Sequence, residues 1–202
     1  MAFVNRSDAD LRVGPTSRIS GNGPRYRDAA GSDAEAIATL HADSWKRHYR
    51  GVFLDSFLDG NILSERMAVW HERLSRAPGT DITVVADVEG SVVGFLHMIL
   101  DDDSRWGSLL DNLHVVWHLK RNGVGRTLLE EGAKRLLQQG RRNFYLWVLD
   151  QNIAAQKFYV AQGGKRVETC LRGPFPGGGH ALGHRMAWAD AALVAARKNG
   201  RQ

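Results

Sequence analysis

The sequence predicts an α+β (α/β) domain in which helices flank a mixed β-sheet, and three observations carry that expectation. Two β-rich runs, Asp81 to Ala86 and Ser91 to Ile99, are joined by Asp87-Val88-Glu89-Gly90, a hairpin signal. Farther on, a strand-like run from Ser108 to Val116, an amphipathic stretch and a second strand-like run from Phe144 to Leu149 follow one another. Strand, helix, strand of this length implies a parallel pair with a right-handed crossover. Finally, a chain of 202 residues is long enough for one well-buried core and short for two.

The elements follow in order. Residues 1–23 carry Gly, Ser, Asn and Arg without hydrophobic period and are expected to form a flexible N-terminal arm. From Ser32, the residues Ile37, Leu40, Ser44, Trp45 and His48 recur at helical spacing, with Ser32 or Asp33 as N-cap and Glu35 to answer it. A first helix is therefore expected over about 33–49, and a turn with a second helix over 51–76, ending near Pro78-Gly79. After the hairpin, Asp101-Asp102-Asp103-Ser104 reads as a loop before the strand 108–116. Val124, Leu128, Leu129, Ala133, Leu136 and Leu137 mark one apolar helix stripe that stops before Gly140. The run Phe144 to Leu149 is apolar on both alternate sets, as in a strand buried on both faces. A short helix over 152–162, stopped by Gly163-Gly164, and strands near 165–172 and 182–188 complete the domain, 24–190, before a C-terminal tail, 191–202. The connection Gly173 to Gly183 holds Pro174, Pro176 and three consecutive glycines and is expected to be mobile.

Composition narrows the function classes. With 43% hydrophobic and 24% charged residues the chain has the balance of a soluble globular protein. No apolar run approaches the roughly 18 residues of a membrane span. Neither a secretory signal nor a membrane partner is expected, and the cytoplasm is the expected compartment. A net charge of +5 favours anionic ligands, but the basic residues are scattered, so no nucleic-acid partner is expected. The single cysteine, Cys170, falls in a late strand and reads as a buried small hydrophobe. His114 and His118 are four apart but straddle a strand end with no companion carboxylate, so no metal is expected.

The most informative stretch is Asn112-Leu113-His114-Val115-Val116 leading through Lys120-Arg121-Asn122-Gly123-Val124-Gly125-Arg126 into a helix. The first N–H groups of a helix have no partner within it, and the macrodipole adds about half a positive charge there, so an anion completes them. Gly123 and Gly125 leave the backbone uncovered to a pyrophosphate, while Lys120, Arg121 and Arg126 add neutralising charge. The segment lacks the Gly-Lys-Ser/Thr ending of a P-loop, which argues against a nucleotidase. On the later helix Asn152 and Tyr159 are seven residues apart, so they share one face about 10 Å apart along the axis and can touch one extended ligand.

Together with Asn152-Ile153-Ala154-Ala155-Gln156-Lys157-Phe158-Tyr159, this segment resembles the GNAT superfamily of acyl-CoA N-acyltransferases over about Arg25 to Trp188. The family signature is Arg or Gln, two residues, Gly, one residue, then Gly or Ala; here Lys120 stands first, before Gly123 and Gly125. The resemblance implies a mixed, mostly antiparallel sheet of six to seven strands with a central splayed parallel pair and about four helices. It implies acetyl-CoA as cosubstrate, bound by Leu113, Val115, Lys120, Arg121, Asn122, Gly123, Val124, Gly125, Arg126, Asn152 and Phe158. Tyr159 is implied to face the sulfur and protonate the departing thiolate, and Trp45, Tyr49 and Trp117 to border the acceptor. Many members carry a glutamate four residues before the leucine equivalent to Leu113; here that position is Leu109, and Asp111, two residues on, is the candidate base. The implied activity is transfer of an acetyl group to a primary amine, of a small molecule or a protein, in a ternary complex. A homodimer is compatible with the sequence. The alternative is a non-catalytic acyl-CoA sensor or interaction protein that keeps the cleft.

Overall fold

The structure, a computed structural model, describes residues 23–175 and 178–196. Residues 1–22 of the expected N-terminal arm and 197–202 of the expected C-terminal tail lie outside the described residues, as does Pro176. In chain order the elements are β1 (Arg25–Asp28), α1 (Ala34–His48), α2 (Asp55–Asp59), α3 (Ile62–Ser75), β2 (Asp81–Val88), β3 (Ser91–Asp103), β4 (Gly107–Val115), α4 (Val124–Gln138), β5 (Phe144–Leu149), α5 (Ile153–Ala161), β6 (Lys165–Arg172), β7 (Ala181–Trp188) and α6 (Ala192–Ala195). The seven strands form one sheet in the order β1-β2-β3-β4-β5-β7-β6, antiparallel throughout except for β4 and β5. The α+β class, the mixed sheet and its parallel pair are those the sequence predicts.

Side-chain alternation sends residues to two layers. Ile82, Val84 and Ala86 join Leu96, Met98, Leu110, Phe144, Leu146 and Trp188 under the stripe Val124, Leu128, Leu129, Ala133 and Leu136 of α4. Val85 and Phe95 point the other way, against Ile37 and Ala38 of α1 and Trp70 of α3. A third cluster, Trp45, Val52, Phe53, Leu58 and Ile62, fastens α1 to α2 and α3, with Leu149 and Phe175 packed against it. Helices α4 and α5 both stop as their glycines direct. After α5, Gly164 N–H bonds Tyr159 O and Gly163 N–H bonds Val160 O, a Schellman closure with Gly163 at φ 88°.

Several boundaries differ from the expectation for local reasons. The β2–β3 turn is only Glu89-Gly90, at φ 50° and 84°, so Asp87 and Val88 stay in the ladder. The acidic run at 101–103 is strand, not loop: β3 continues to Asp103, bent at Asp101 (φ 53°), whose carboxylate takes Arg141 at 2.8 Å. The span 51–76 holds two helices, because α2 ends at Gly60 and α3 restarts after Asn61. Asp33 occupies the N-cap of α1 but turns its carboxylate to Ala30 N–H and Arg27, both at 2.7 Å. Inside the span expected as tail, Ala191 and Val194 are fully buried with the α4 core. Cys170 is half-buried on β6, which ends the sheet, and is not a core residue. Among the described residues no helix is long and apolar enough to cross a membrane.

Candidate active site

The parallel seam is where the sheet comes apart. Ser108 pairs with Phe144 and Leu109 with Tyr145, and there the β4–β5 ladder ends, although β4 runs on to Val115 and β5 to Leu149. On their other edges both strands stay paired, β4 with β3 and β5 with β7. Backbone groups of residues 110–115 on the β5 side are thus left to a ligand or to water, since unpartnered peptide groups are expensive to bury.

At the open end of this seam lies the amide-rich turn. Arg121 and Gly123 take left-handed conformations, φ 68° and 83°, in a chain that enters α4 at Val124. Left-handed residues beside helical ones turn successive N–H groups to one side, a nest for an anion. A Cβ on Gly123 would meet nothing within 4 Å, so the space over the turn is free. One on Gly125 would sit 3.7 Å from Val115 Cγ2 and 3.9 Å from Phe158 Cζ, so strand, turn and α5 converge there. Val124 is buried and offers the turn only its backbone; Asn122 is exposed, and Arg126 stands over Glu130 at 3.6 Å. The Asn152 side chain caps α5 by accepting from Ala155 N–H at 3.2 Å, which leaves its NH₂ as the donor for a ligand.

Lys120 takes a different direction from the one the signature implies. Its ammonium donates to His48 Nε2 at 3.0 Å and lies 4.6 Å from the Trp117 ring centroid, on the α1 side of the turn. His48 Nδ1–H in turn donates to Ser44 O at 2.8 Å. Burial, with Lys120 and Arg47 nearby, holds the His48 pKa below its ordinary value, which fits a neutral ring accepting from a cation.

Tyr159 packs edge-on to Trp188 at 6.1 Å and beside Phe158. Burial raises its pKa beyond the ordinary phenol range, and Tyr49 adds to the rise; burial likewise pushes Tyr49 up to about 12, helped by Asp111. The two phenols and the Asp111 charge therefore feel one another across the seam. Asp111 lies where β4 bulges, between Leu110 facing Met98 and Asn112 facing His97, and its carboxylate is held by Arg73 at 2.7 Å.

Of the three aromatic residues expected at the acceptor, Trp45 and Tyr49 are brought together, their ring centroids 5.6 Å apart, and Trp117 is not. Trp45 is buried, under Arg66 at 4.3 Å and edge-on to Phe53 at 4.9 Å, and is a core residue. Tyr49 stays half-buried at the seam. Trp117 is 61% exposed and sits with Arg47 and Lys120 beyond α1. Phe53 and Phe175, which sequence reasoning missed, close the cluster at 5.2 Å from each other. Phe175 is tied down by its N–H to Gly179 O at 3.1 Å, within the connection expected to be mobile.

Beneath the site lies a set of buried imidazoles. Trp70 Nε1–H donates to His41 Nδ1 at 3.0 Å, Thr83 pairs with His97 at 2.8 Å, and Ser44 with His114 at 2.7 Å. Burial drives His41 well down and holds His97 and His114 each to about 3. An unfolded histidine takes up a proton near pH 6.5 and these three do not, so their contribution is complete above pH 6.5 and drains away as pH falls below it. Urea unfolding at pH 5 is therefore expected to return a clearly lower stability than at pH 7, since each such group costs about 1.4 kcal/mol per pH unit below its unfolded pKa; equal midpoints would refute the assignment. Among the described residues no cluster of metal-ligating side chains is present.

Comparison with known proteins agrees with this geometry. The sequence profile of the Acetyltransferase (GNAT) family matches residues 37–163. The chain is 31% identical over 143 residues to the uncharacterized N-acetyltransferase YuaI of Bacillus subtilis (strain 168), covering 70% of this chain and 80% of that protein. PaiA N-acetyltransferase from Thermoplasma acidophilum, solved in complex with coenzyme A, superposes with TM-score 0.68 at 20% identity, covering 82% of this chain and 98% of that one. The structure of yncA from Salmonella typhimurium with its cofactor acetyl-CoA gives 0.63 at 16% identity over 90% and 99%. A profile match spanning both the amide turn and Tyr159, on a sheet that opens between them, makes the chain an N-acetyltransferase of the Acetyltransferase (GNAT) family.

Proposed function

We propose that the domain, residues 24–190, transfers an acetyl group from acetyl-CoA to a primary amine by direct attack in a ternary complex. The observation that carries this reading is the ending of the β4–β5 ladder at Leu109, with the nest of Arg121 to Arg126 at the mouth of the gap. In the proposal the nest amides grip the diphosphate and the backbone of Leu113 and Val115 pairs with the pantetheine arm. Asn152 and Phe158 flank that arm, and Tyr159 meets the sulfur. Lys120, engaged by His48, adds its field but no direct contact. Two relatives in fold were solved with coenzyme A or acetyl-CoA, which supports the choice of donor.

The amine nitrogen attacks the thioester carbon, and a strand N–H in the gap meets the oxyanion. The intermediate then carries an ammonium and loses thiolate. A phenol held far above the thiol range, about 8.5, does not part with its proton outright. Tyr159 instead hydrogen-bonds the departing sulfur and passes on a proton as it receives one from the ammonium, so no phenolate accumulates. Asp111, fixed by Arg73, acts through water to take the proton from the incoming alkylammonium, whose pKa is near 10.

Calorimetry with acetyl-CoA, followed by thiol release with a panel of small amines and amine-bearing peptides, tests the reading. Saturable binding with amine-dependent thiol release is expected. Binding without release for any amine would instead favour the sensor. For the base, Asp111→Asn is expected to lower kcat/KM about tenfold or more and to move the acidic limb of the pH–rate profile upward. An unchanged profile removes Asp111 from the mechanism.

A further inference from the structure

A cavity of about 260 Å³ lies on the far side of α1 from the aromatic cluster, between Asp43, Ser44, Arg47 and His48 of that helix and the segment 115–120. Its charges are unusual for a helix surface. Asp43 and Arg47 are one turn apart, the spacing at which helix ion pairs form, yet neither has an ion-pair partner among the described residues. Arg47 instead lies over the Trp117 ring at 5.8 Å, and Lys120 over the same ring at 4.6 Å. The Lys120 ammonium has a neutral imidazole at 3.0 Å rather than a carboxylate. With His48 neutral, the walls thus hold two cations and one anion that have no ion-pair partner among the described residues. Trp117, 61% exposed, adds an apolar side. The volume falls below the roughly 300 Å³ at which pockets for drug-sized ligands begin, so the occupant is of amino-acid size.

We propose that this cavity binds a dicarboxylic amino acid, its two carboxylates on Arg47 and Lys120, its ammonium on Asp43 and its methylenes against Trp117. Charge count selects this class. A monocarboxylic amino acid leaves one cation unanswered, and a plain diacid sets nothing against Asp43. The cavity borders the proposed acetyl-transfer seam at Val115 and Lys120, but amino-acid binding in it stands whether or not that reading holds.

Titration calorimetry of the full chain with L-glutamate, glutarate and L-glutamine tests it. L-Glutamate is expected to bind saturably, with glutarate and L-glutamine each about tenfold weaker or more, as the loss of one charge-assisted contact requires. Both Asp43 and Arg47 are exposed, so Asp43→Asn and Arg47→Ala keep the fold, checked by circular dichroism. Asp43→Asn should bring glutamate and glutarate to equal affinity, and Arg47→Ala should abolish saturation. Absence of saturable glutamate binding to the unaltered protein overturns the proposal. So does equal binding of glutamate and glutarate to it, or unchanged glutamate affinity in Arg47→Ala.

Discussion

Tyr159→Phe is expected to lower kcat for acetyl transfer by about 100-fold or more, while the affinity for acetyl-CoA stays within about threefold. The split follows from where the ring and its hydroxyl sit. The ring is packed by Trp188 and Phe158, and phenylalanine keeps those contacts, so binding and fold are preserved. The hydroxyl alone is lost, and with it the path by which the intermediate's proton reaches the sulfur. The phenol pKa is raised by burial and by Tyr49, so the group stays protonated across the working range. Its removal should therefore lower the rate evenly with pH rather than move a limb of the profile. A variant with unchanged kcat would take Tyr159 out of the chemistry. A variant with lost affinity and intact kcat would make it a binding residue only.

Gly125→Asp should weaken acetyl-CoA binding by at least about 100-fold, with little change in the turnover that remains at saturation. A Cβ at this position fits, since its nearest neighbours are 3.7 and 3.9 Å away, but anything longer enters the space between Val115 and Phe158. A carboxylate there opposes a diphosphate and answers the α4 amides with the protein's own anion. Gly125→Ala is the control: its methyl makes ordinary contacts and should cost binding about tenfold or less. Equal affinities in all three proteins would place the diphosphate elsewhere.

Much of this was legible in the residues. The amide turn is readable because only glycine leaves a backbone bare, and α4 because its stripe never breaks from Val124 to Leu136. Strand β5 is readable because both of its faces are apolar. What escaped is of two kinds. Short elements such as β1, Arg-Tyr-Arg-Asp, and α6, four residues long, hold no full period, and only neighbours define them. The break at Gly60-Asn61 lies within a pattern that reads as one helix. The other kind is long-range pairing. Nothing near Lys120 in the sequence announces that His48, 72 positions earlier, takes its ammonium, nor that Arg73 holds Asp111. Trp45 and Trp117 look alike as candidates, but α1 turns the first inward, and the turn carries the second past the helix. Side-chain chemistry is written locally, whereas the direction in which a long side chain is spent is decided by whichever element folds opposite it.

The early end of the β4–β5 ladder has a mechanical consequence. Its two linked residue pairs sit at one end, so the sheet is two stiff plates, β1 to β4 and β5 to β6, riveted at Ser108 and Leu109 and gaping at the other edge. A guest threaded through the gape would act as the missing rungs, and the plates would then resist pulling apart as one. Under force applied across that fissure, an empty molecule should yield there before any other part of the sheet.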